Sequence, residues 1–306
     1  MSEPPPRQGR QSRQQRPRRE KRPDSGVSGC VLVDKPPGCT SHDVVDQVRR
    51  ALGTRRVGHG GTLDPDATGV LVLGVGVGTK LLEFVTGADK TYEGTLRFGV
   101  TTSTLDAAGE VTGHYDMAVT PALVAEAATR FVGHIEQIPP MVSAVKVGGK
   151  RLHELARAGQ EVAREPRPVT VHRFDTAPTE DPLVYTLSVD CTSGTYIRTL
   201  AADLGEALGG GAHLTSLRRT AVGSFAVAEC CPVEGIELRP LVELVRGMAI
   251  VDVDETVASQ VKDGRSFGPS AGTGRLAVRG PDGDLLAIYE AAGGQFRPVK
   301  VLAGRA

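Results

Sequence analysis

Hydrophobic and polar positions along the chain predict short strands and helices in mixed order. The apolar run at 29–34 ends at two prolines and a glycine and predicts the first strand. Residues 41–51 carry apolar side chains at helical spacing, start at a threonine or serine suited to an N-cap, and precede Gly53, so they predict an amphipathic helix. Alternation over 91–98 predicts a half-buried strand. The Thr-Pro pair at 120–121 predicts the start of another helix.

The middle of the chain continues this mixture. Residues 169–174 and 184–191 predict strands, and the apolar face of 196–208 predicts a helix that ends at three glycines. The other predictions are a short helix at 78–86, a polar loop at 101–106, an irregular stretch at 135–146 and a helix at 151–158. Strands joined by turns and interspersed with helices indicate an α+β fold with a largely antiparallel sheet and flanking helices.

The pattern changes after Pro240. Residues 241–245 predict a last helix, and apolar runs at 275–279 and 285–289 flank a Gly-Pro-Asp-Gly-Asp turn that is typical of a hairpin. A third strand is predicted at 297–302. We therefore expect three segments, which are a basic tail at 1–26, a main domain at 27–247, and a small β-rich domain at 248–306. A unit of about sixty residues is marginally stable alone and should pack on the larger domain.

Composition and charge change this picture mainly at the N terminus. The 306 residues are 40% hydrophobic, enough for a core, and the 36 basic residues equal the 36 acidic ones. The first 24 residues, however, hold eight basic and three acidic side chains and few apolar ones. We expect a disordered arm that either attracts nucleic acid or only adds solubility. The tail lacks the apolar segment of a secretory signal, and nothing downstream is apolar enough to span a membrane.

The five cysteines are odd in number and form no CxxC pair, so we expect reduced thiols in a cytoplasmic protein and no structural zinc.

A glycine-rich loop at 58–69 contains the most promising chemistry, and its residues alone allow three interpretations. The glycines at 74–78 suggest a phosphate-binding loop. In a P-loop, however, lysine precedes the serine or threonine, whereas here Thr79 precedes Lys80. A metal or hydrolase site could use His59, Asp64 and Asp66, although aspartates in such a loop also cap turns. In the third interpretation one aspartate is a nucleophile with an arginine partner elsewhere.

Several motifs, in order, resemble those of the TruB family of bacterial tRNA pseudouridine-55 synthases. The loop Gly-His-x-Gly-Thr-Leu-Asp-Pro-x-Ala-Thr-Gly at 58–69 resembles the signature loop of that family. The other matching motifs are Val-Asp-Lys-Pro at 33–36, Lys-Thr-Tyr at 90–92, Gln-Ile-Pro-Pro at 137–140, Ser-Ala-Val-Lys at 143–146, Ser-Gly-Thr-Tyr-Ile-Arg at 193–198, Gly-Ala-His-Leu at 211–214 and Leu-Arg-Arg at 217–219. Gly60 and Asp66 depart from the family pattern, which usually has threonine and an apolar residue there.

The resemblance implies an isomerase that detaches uracil from its ribose, rotates it and rejoins it through carbon 5, without metal or nucleotide cofactor. By match to the motifs, Asp64 is expected to be the nucleophile and Arg198 its partner. The expected substrate contacts are stacking by Tyr92, replacement of the flipped base by His59, a pocket lined by Tyr196 and Leu217, and a basic residue beside it, Lys35. The C-terminal domain resembles RNA-binding domains of the PUA kind, which leaves two roles open: contact with RNA, or a contribution to stability alone.

The implied partner is tRNA, bound at the T-loop and elbow. No protein partner is implied, and we expect a monomer. Two alternatives remain. One is an RNA-binding folding chaperone without chemistry, against which the presence of both Asp64 and Arg198 argues. The other is a pseudouridine synthase of the same fold that acts on another RNA.

Overall fold

The computed structural model of the chain describes residues 25–143, 146–152, 155, 159, 160, 162–270 and 273–302. The predicted basic tail therefore lies almost wholly outside the described residues, as does most of the predicted helix at 151–158. The helices are α1 (Ser41–Ala51), α2 (Leu82–Thr86), α3 (Pro121–Thr129), α4 (Ile197–Ala207) and α5 (Glu255–Lys262), with 3-10 turns at Gly76–Leu81, Val227–Glu229, Val233–Gly235 and Leu241–Val245. The strands are β1 (Gly29–Lys35), β2 (Val57–His59), β3 (Thr68–Val75), β4 (Lys90–Phe98), β5 (Val100–Thr102), β6 (Val111–His114), β7 (Gly133–Gln137), β8 (Lys146–Val147), β9 (Lys150–Arg151), β10 (Arg167–Pro178), β11 (Val184–Cys191), β12 (Ala212–Val222), β13 (Phe225–Ala226), β14 (Ala249–Asp252), β15 (Gly274–Arg279), β16 (Leu285–Ala292) and β17 (Gln295–Val301).

The main sheet confirms the predicted α+β class. In the described residues it contains nine strands in the order β1-β3-β12-β4-β11-β10-β7, with β2 on β3 and β13 on β12. Neighbouring strands run antiparallel except β12 and β3, which are parallel where Arg218 and Arg219 meet Thr68 and Gly69. This central position of β12 brings the ends of β3, β4 and β12 together.

Two predicted loops differ from the structure. Residues 101 and 102 of the predicted polar loop belong to β5, which pairs with β6, because β-branched threonines are compatible with a short strand. Residues 135–137 of the predicted irregular stretch belong to β7, which pairs with β10 up to Gln137 and ends just before Pro139. Strand β5 has only three residues, and Ile135 is the one large apolar residue of β7, so neither strand shows a hydrophobic period of two.

The helices cover the main sheet unevenly. Helices α3 and α4 bury apolar residues against one face, where Leu96 and Phe98 of β4 pack with Leu200 and Leu204 of α4. Helix α1 packs on β1, β2 and β3, and Thr40 caps it by accepting the Asp43 N–H. The alternation predicted over 91–98 is confirmed, since Leu96 and Phe98 are fully buried.

The C-terminal residues form a second sheet in the order β14-β15-β16-β17. Ala277 and Ile288 of this sheet share one apolar cluster with Leu32 and Val70 of the main sheet, so it packs on the larger unit as expected. The predicted last helix at 241–245 is instead a 3-10 turn. Helix α5 follows it, and the sequence pattern missed this helix because only two of its eight residues are fully buried.

Two other observations concern the described part of the chain. All five cysteines have free thiols. None of the described helices is long and apolar enough to cross a membrane.

Candidate active site

The glycine-rich segment forms a loop over residues 60–67, between β2 and β3, which we call the catalytic loop. It is held at its centre by α1, because the Ser41 hydroxyl accepts the Leu63 N–H at 2.8 Å and donates to the Leu63 carbonyl at 3.1 Å. At its start, Gly60 lies against α2, and an added Cβ would come within 2.8 Å of Val85 Cγ1. Glycine at this departure from the family pattern therefore lets the loop and the helix approach closely.

Lys35 holds the C-terminal end of the catalytic loop through hydrogen bonds. Its side chain is fully buried, and Nζ donates to the carbonyls of Pro36, Pro65 and Ala67 at 2.7–2.8 Å. These three bonds use all the N–H donors of an ammonium group. The structure thus places the Lys35 ammonium beneath the loop, where it holds backbone, and not among the groups that line the cleft.

Asp64 and Arg198 form a fork-like ion pair at the surface of this loop. Arg198 Nε lies 3.0 Å from Asp64 Oδ2, and Nη2 donates to Oδ1 at 3.3 Å. The Arg198 side chain is 5% exposed, whereas that of Asp64 is 40% exposed. Burial raises the pKa of Asp64, and Arg198 opposes that rise. The arginine therefore favours the ionised carboxylate and fixes its orientation.

The remaining donors of Arg198 are also taken. Nη1 lies 3.2 Å from Asp106 Oδ2 and donates to the Thr104 carbonyl at 2.9 Å, while Nη2 donates to the Val142 carbonyl at 3.0 Å. Arg198 is thus held from three segments of the chain. Asp106 was not singled out from the sequence, because it lies in a loop with no local motif and reaches Arg198 only through the tertiary fold.

The segment that carries Asp106 has an unusual backbone. Leu105, immediately before it, has a φ of 63°, which a branched side chain rarely adopts. Among the described residues it is the one non-glycine with positive φ. The Asp106 carboxylate also accepts the Ala108 N–H, so the turn holds this second carboxylate towards Arg198.

A cleft of about 390 Å³ opens beside the ion pair, a volume within the range of small-ligand sites. Five of the residues predicted from the sequence line it together: Asp64, Tyr92, Tyr196, Arg198 and Leu217. They come from the catalytic loop, β4, the start of α4 and β12. The Tyr92 ring is buried at the base of the cleft, and Tyr196 is held there by reciprocal hydrogen bonds between its backbone and the Gln137 side chain.

His59 lies at the end of β2 and does not line this cleft. Its Nδ1 accepts the Gly61 N–H at 3.4 Å, and burial lowers the pKa of the imidazole, which favours its neutral form. His59 is hydrogen-bonded to the loop backbone, and Asp64 is paired with Arg198. His59, Asp64 and Asp66 therefore do not form the metal or hydrolase site considered from the sequence. In the part of the chain that the structure describes, no group of three or more His, Cys, Asp or Glu side chains could hold a metal ion.

Two buried basic residues line the cleft. Both belong to motifs that resemble those of the family, but the sequence predicted no role for either. Arg219 is 1% exposed, and Lys90 is 7% exposed and donates to the carbonyls of Thr86 and Ala88. Burial lowers the pKa of Lys90 to about 8. No local signal marks either residue, because Lys90 is the first residue of β4 and Arg219 follows Arg218 in β12, where the order of buried and exposed positions is irregular.

The overall fold of the chain is similar to that of chains in two solved structures. A chain from the structure of "H/ACA RNP bound to a substrate RNA containing 2'-deoxyuridine" superposes with a TM-score of 0.68 at 23% identity, covering 90% of this chain and 84% of that one. A chain of a Cbf5-Nop10-Gar1 complex gives a TM-score of 0.68 at 25% identity, covering 90% and 85%. These likenesses concern the fold.

The family follows from sequence comparison. Residues 49–197 match the TruB family pseudouridylate synthase N-terminal domain, 198–242 the tRNA pseudouridylate synthase B C-terminal domain, and 248–303 the tRNA pseudouridine synthase II C-terminal domain. The chain is 44% identical over 297 residues to tRNA pseudouridine synthase B of Arthrobacter sp. (strain FB24), covering 90% of this chain and 97% of that protein. The same enzyme of Thermobifida fusca (strain YX) is 45% identical over 291 residues, covering 91% and 99%. The chain therefore belongs to the TruB family, whose pseudouridine synthases are isomerases.

Proposed function

We propose that this enzyme converts the conserved T-loop uridine of tRNA, position 55, to pseudouridine, with Asp64 as the nucleophile. The observation that carries the proposal is the Asp64–Arg198 pair, which faces a cleft also lined by Tyr92. The choice of tRNA is supported by the relatives, which are tRNA pseudouridine synthases and match nearly the whole chain.

The reaction is an isomerisation, so its atoms balance within the nucleotide and solvent. The bond between ribose C1' and uracil N1 breaks, and a bond between C1' and C5 forms. The hydrogen on C5 leaves as a proton, and N1 gains one. An ionised Asp64 supplies the electron pair for the covalent intermediate and regains it when that bond breaks, so the free carboxylate is restored with the product. Arg198 keeps that carboxylate charged and oriented.

The target base must leave its stack to reach Asp64. Extruding a base costs a few kcal/mol, and stacking on an aromatic side chain contributes about 1–3 kcal/mol per base. We assign that stacking to Tyr92, with Leu217 and Tyr196 as walls of the pocket and His59 as the group that fills the vacated stack. The roles of these side chains follow from the family motifs and from the positions of Tyr92, Tyr196 and Leu217 in the cleft.

Lys35 is assigned a supporting role in this scheme. Because its ammonium is bound to three carbonyls below Asp64, it holds the catalytic loop in shape. Lys35, predicted as a basic residue beside the uridine pocket, thus acts on the uridine indirectly, by keeping the shape of the loop.

We further propose that the enzyme acts as a monomer in the cytoplasm. All the proposed site residues lie within 27–247 of one chain, so the cleft needs no residue from a second copy. The segment 248–306 is assigned as the PUA-like domain that adds contacts to RNA.

The deciding experiment is release of tritium from a T-loop RNA labelled at uracil C5, compared between the parent enzyme and Asp64→Asn. We expect release by the parent only, with RNA affinity of the variant within severalfold. A variant that keeps a few per cent of the activity contradicts the assignment of Asp64. Tight RNA binding without tritium release by either protein favours an RNA-folding chaperone. Tritium release only from a different RNA would mean that this other RNA is the substrate.

A further inference from the structure

We infer that Arg219 is a positioning residue that holds Tyr92 and the catalytic loop in one fixed arrangement. Its guanidinium donates from Nε to the Val70 carbonyl at 2.8 Å. Nη2 donates to the Gly61 carbonyl at 3.1 Å, and Nη1 donates to the Thr62 carbonyl at 3.3 Å. Tyr92 is the register partner of Arg219 and lines the same cleft, and Arg219 opposes the rise that burial causes in the pKa of Tyr92. One residue therefore connects β3, the catalytic loop and β4.

The strand pairing explains why this position reaches all three. Arg219 is the register partner of Tyr92 on the β4 side of β12 and of Gly69 on the β3 side. At Gly69, which has a φ of 100°, an added Cβ would lie 2.1 Å from the Arg219 carbonyl oxygen. A glycine is thus required for β3 to approach Arg219 this closely. The parallel contact of β3 with β12 places the guanidinium directly beneath the loop.

The chemistry of the site favours a guanidinium over other large side chains. A buried charge is costly unless it is hydrogen-bonded, and the partners of Arg219 named above are all neutral groups. A planar fork offers several donors in fixed directions, whereas a lysine has a single nitrogen. The three separate nitrogens of the fork reach two successive loop carbonyls and a strand carbonyl from one side chain.

The consequence for catalysis is geometric. Residues 61 and 62 lie three and two positions before Asp64, so the carbonyls held by Arg219 set the path of the loop into the nucleophile. Tyr92 lines the same cleft as Asp64. This inference rests on the proposed function in one respect, because it takes Tyr92 as the ring on which the target base stacks. Arg219 then fixes the distance between that base and the carboxylate.

The test is a double-mutant cycle of Arg219→Lys and Tyr92→Phe in the full chain. Single-turnover rates of tritium release and RNA Kd values are measured for the parent, both single variants and the double variant. A misplacement of about 1 Å costs about a hundredfold in rate, so we expect Arg219→Lys to lose about that much while Kd stays within about threefold. In the Tyr92→Phe background the same substitution should lose less than about tenfold, because one of its targets is absent.

Arg218→Lys is the matched control. Arg218 is the neighbouring residue, and it pairs with Asp34 at 2.7 Å where both side chains are more than a third exposed. Such a pair contributes little, so we expect a rate within about threefold of the parent. A role of Arg219 in stability alone would lower the thermal midpoint without changing the rate of the folded protein.

Two results overturn the inference: a folded Arg219→Lys protein with the parental rate, or an equal loss in the presence and absence of the Tyr92 hydroxyl. If Arg219→Lys does not fold, Tyr92→Phe decides, because it keeps the ring and removes only the hydroxyl that interacts with Arg219. A loss of at least about tenfold at unchanged Kd then supports the inference, and the parental rate overturns it.

Failure of the proposed function is seen separately, as absence of turnover by the parent. In that case the coupling between Arg219 and Tyr92 is measured on the free energy of unfolding. Additive effects of the two substitutions there overturn the inference.

Discussion

Replacing Arg198 with glutamine should move the acidic limb of the rate profile to higher pH. Burial raises the pKa of Asp64, Arg198 is the strongest influence that lowers it, and Asp106 raises it. Glutamine keeps an amide donor and removes the charge. Since Asp64 must be ionised to act as a nucleophile, a higher pKa leaves less of the active form at any given pH.

The size of this shift follows from the geometry of the pair. Nε of Arg198 and Oδ2 of Asp64 are 3.0 Å apart. Two unit charges at that distance attract by about 5 kcal/mol at an effective dielectric constant of about 20. The hydration that both groups lose offsets most of this attraction, and an arginine typically lowers the pKa of a neighbouring aspartate by about 1–3 units. Because 40% of the Asp64 side chain is exposed, we expect about 1–2 units.

The assay is single-turnover tritium release at saturating RNA, measured across the acidic limb. Arg198→Gln should raise its midpoint by about 1–2 units and lower the plateau, because the fork that orients the carboxylate is lost. Asp106→Asn is a control of opposite sign, since removal of a like charge should move the midpoint to lower pH. Midpoints that coincide with that of the parent, or that move in the same direction in both variants, refute the electrostatic argument.

Three further predictions concern the stability of the fold. Burial raises the pKa of Asp203 to about 6, so its ionised form destabilises the fold and stability falls as pH rises from about 4 to 6. Asp203→Asn should therefore raise the free energy of unfolding in urea by up to about 2–3 kcal/mol at pH 7 and leave it unchanged below pH ~3.5. Gly69→Ala forces a Cβ against the Arg219 carbonyl and should cost about 2–4 kcal/mol, whereas Gly87→Ala, with no neighbour within 4 Å, should change stability by less than about 1 kcal/mol. Lys35→Met leaves loop carbonyls unpaired, so it should lower the free energy of unfolding by about 2–4 kcal/mol and lower turnover more than RNA affinity. Unchanged stability and unchanged turnover would contradict the role of Lys35 under the loop.

Local pattern predicted most of the regular structure, and the misses have physical causes. Strand β4 shows a period of two along its whole length, so its alternation was sufficient. Strand β12 has two register shifts against β4, between Leu214 and Ser216 and between Arg219 and Ala221, which interrupt that period and hide an eleven-residue strand. Strand β14 was missed because its four residues are half-buried or exposed.

The candidate site divides in the same way. Asp64, Tyr92, Tyr196, Arg198 and Leu217 lie in short motifs that were recognisable from the sequence, and the structure brings all five to one cleft. Asp106 and the partners of Arg219 were not recognisable, because their contacts join residues that are far apart in the chain.

The sequence by itself determined the α+β class, most element positions and the residue types of the site, because hydrophobic period, turn chemistry and motif spacing are local properties. Only the tertiary structure decided how those residues are held. The fork of Arg198 spans three segments, and the ammonium of Lys35 lies beneath the loop. Hydrogen bonds between distant segments depend on which strands become neighbours, and here the parallel contact of β12 with β3 sets that arrangement.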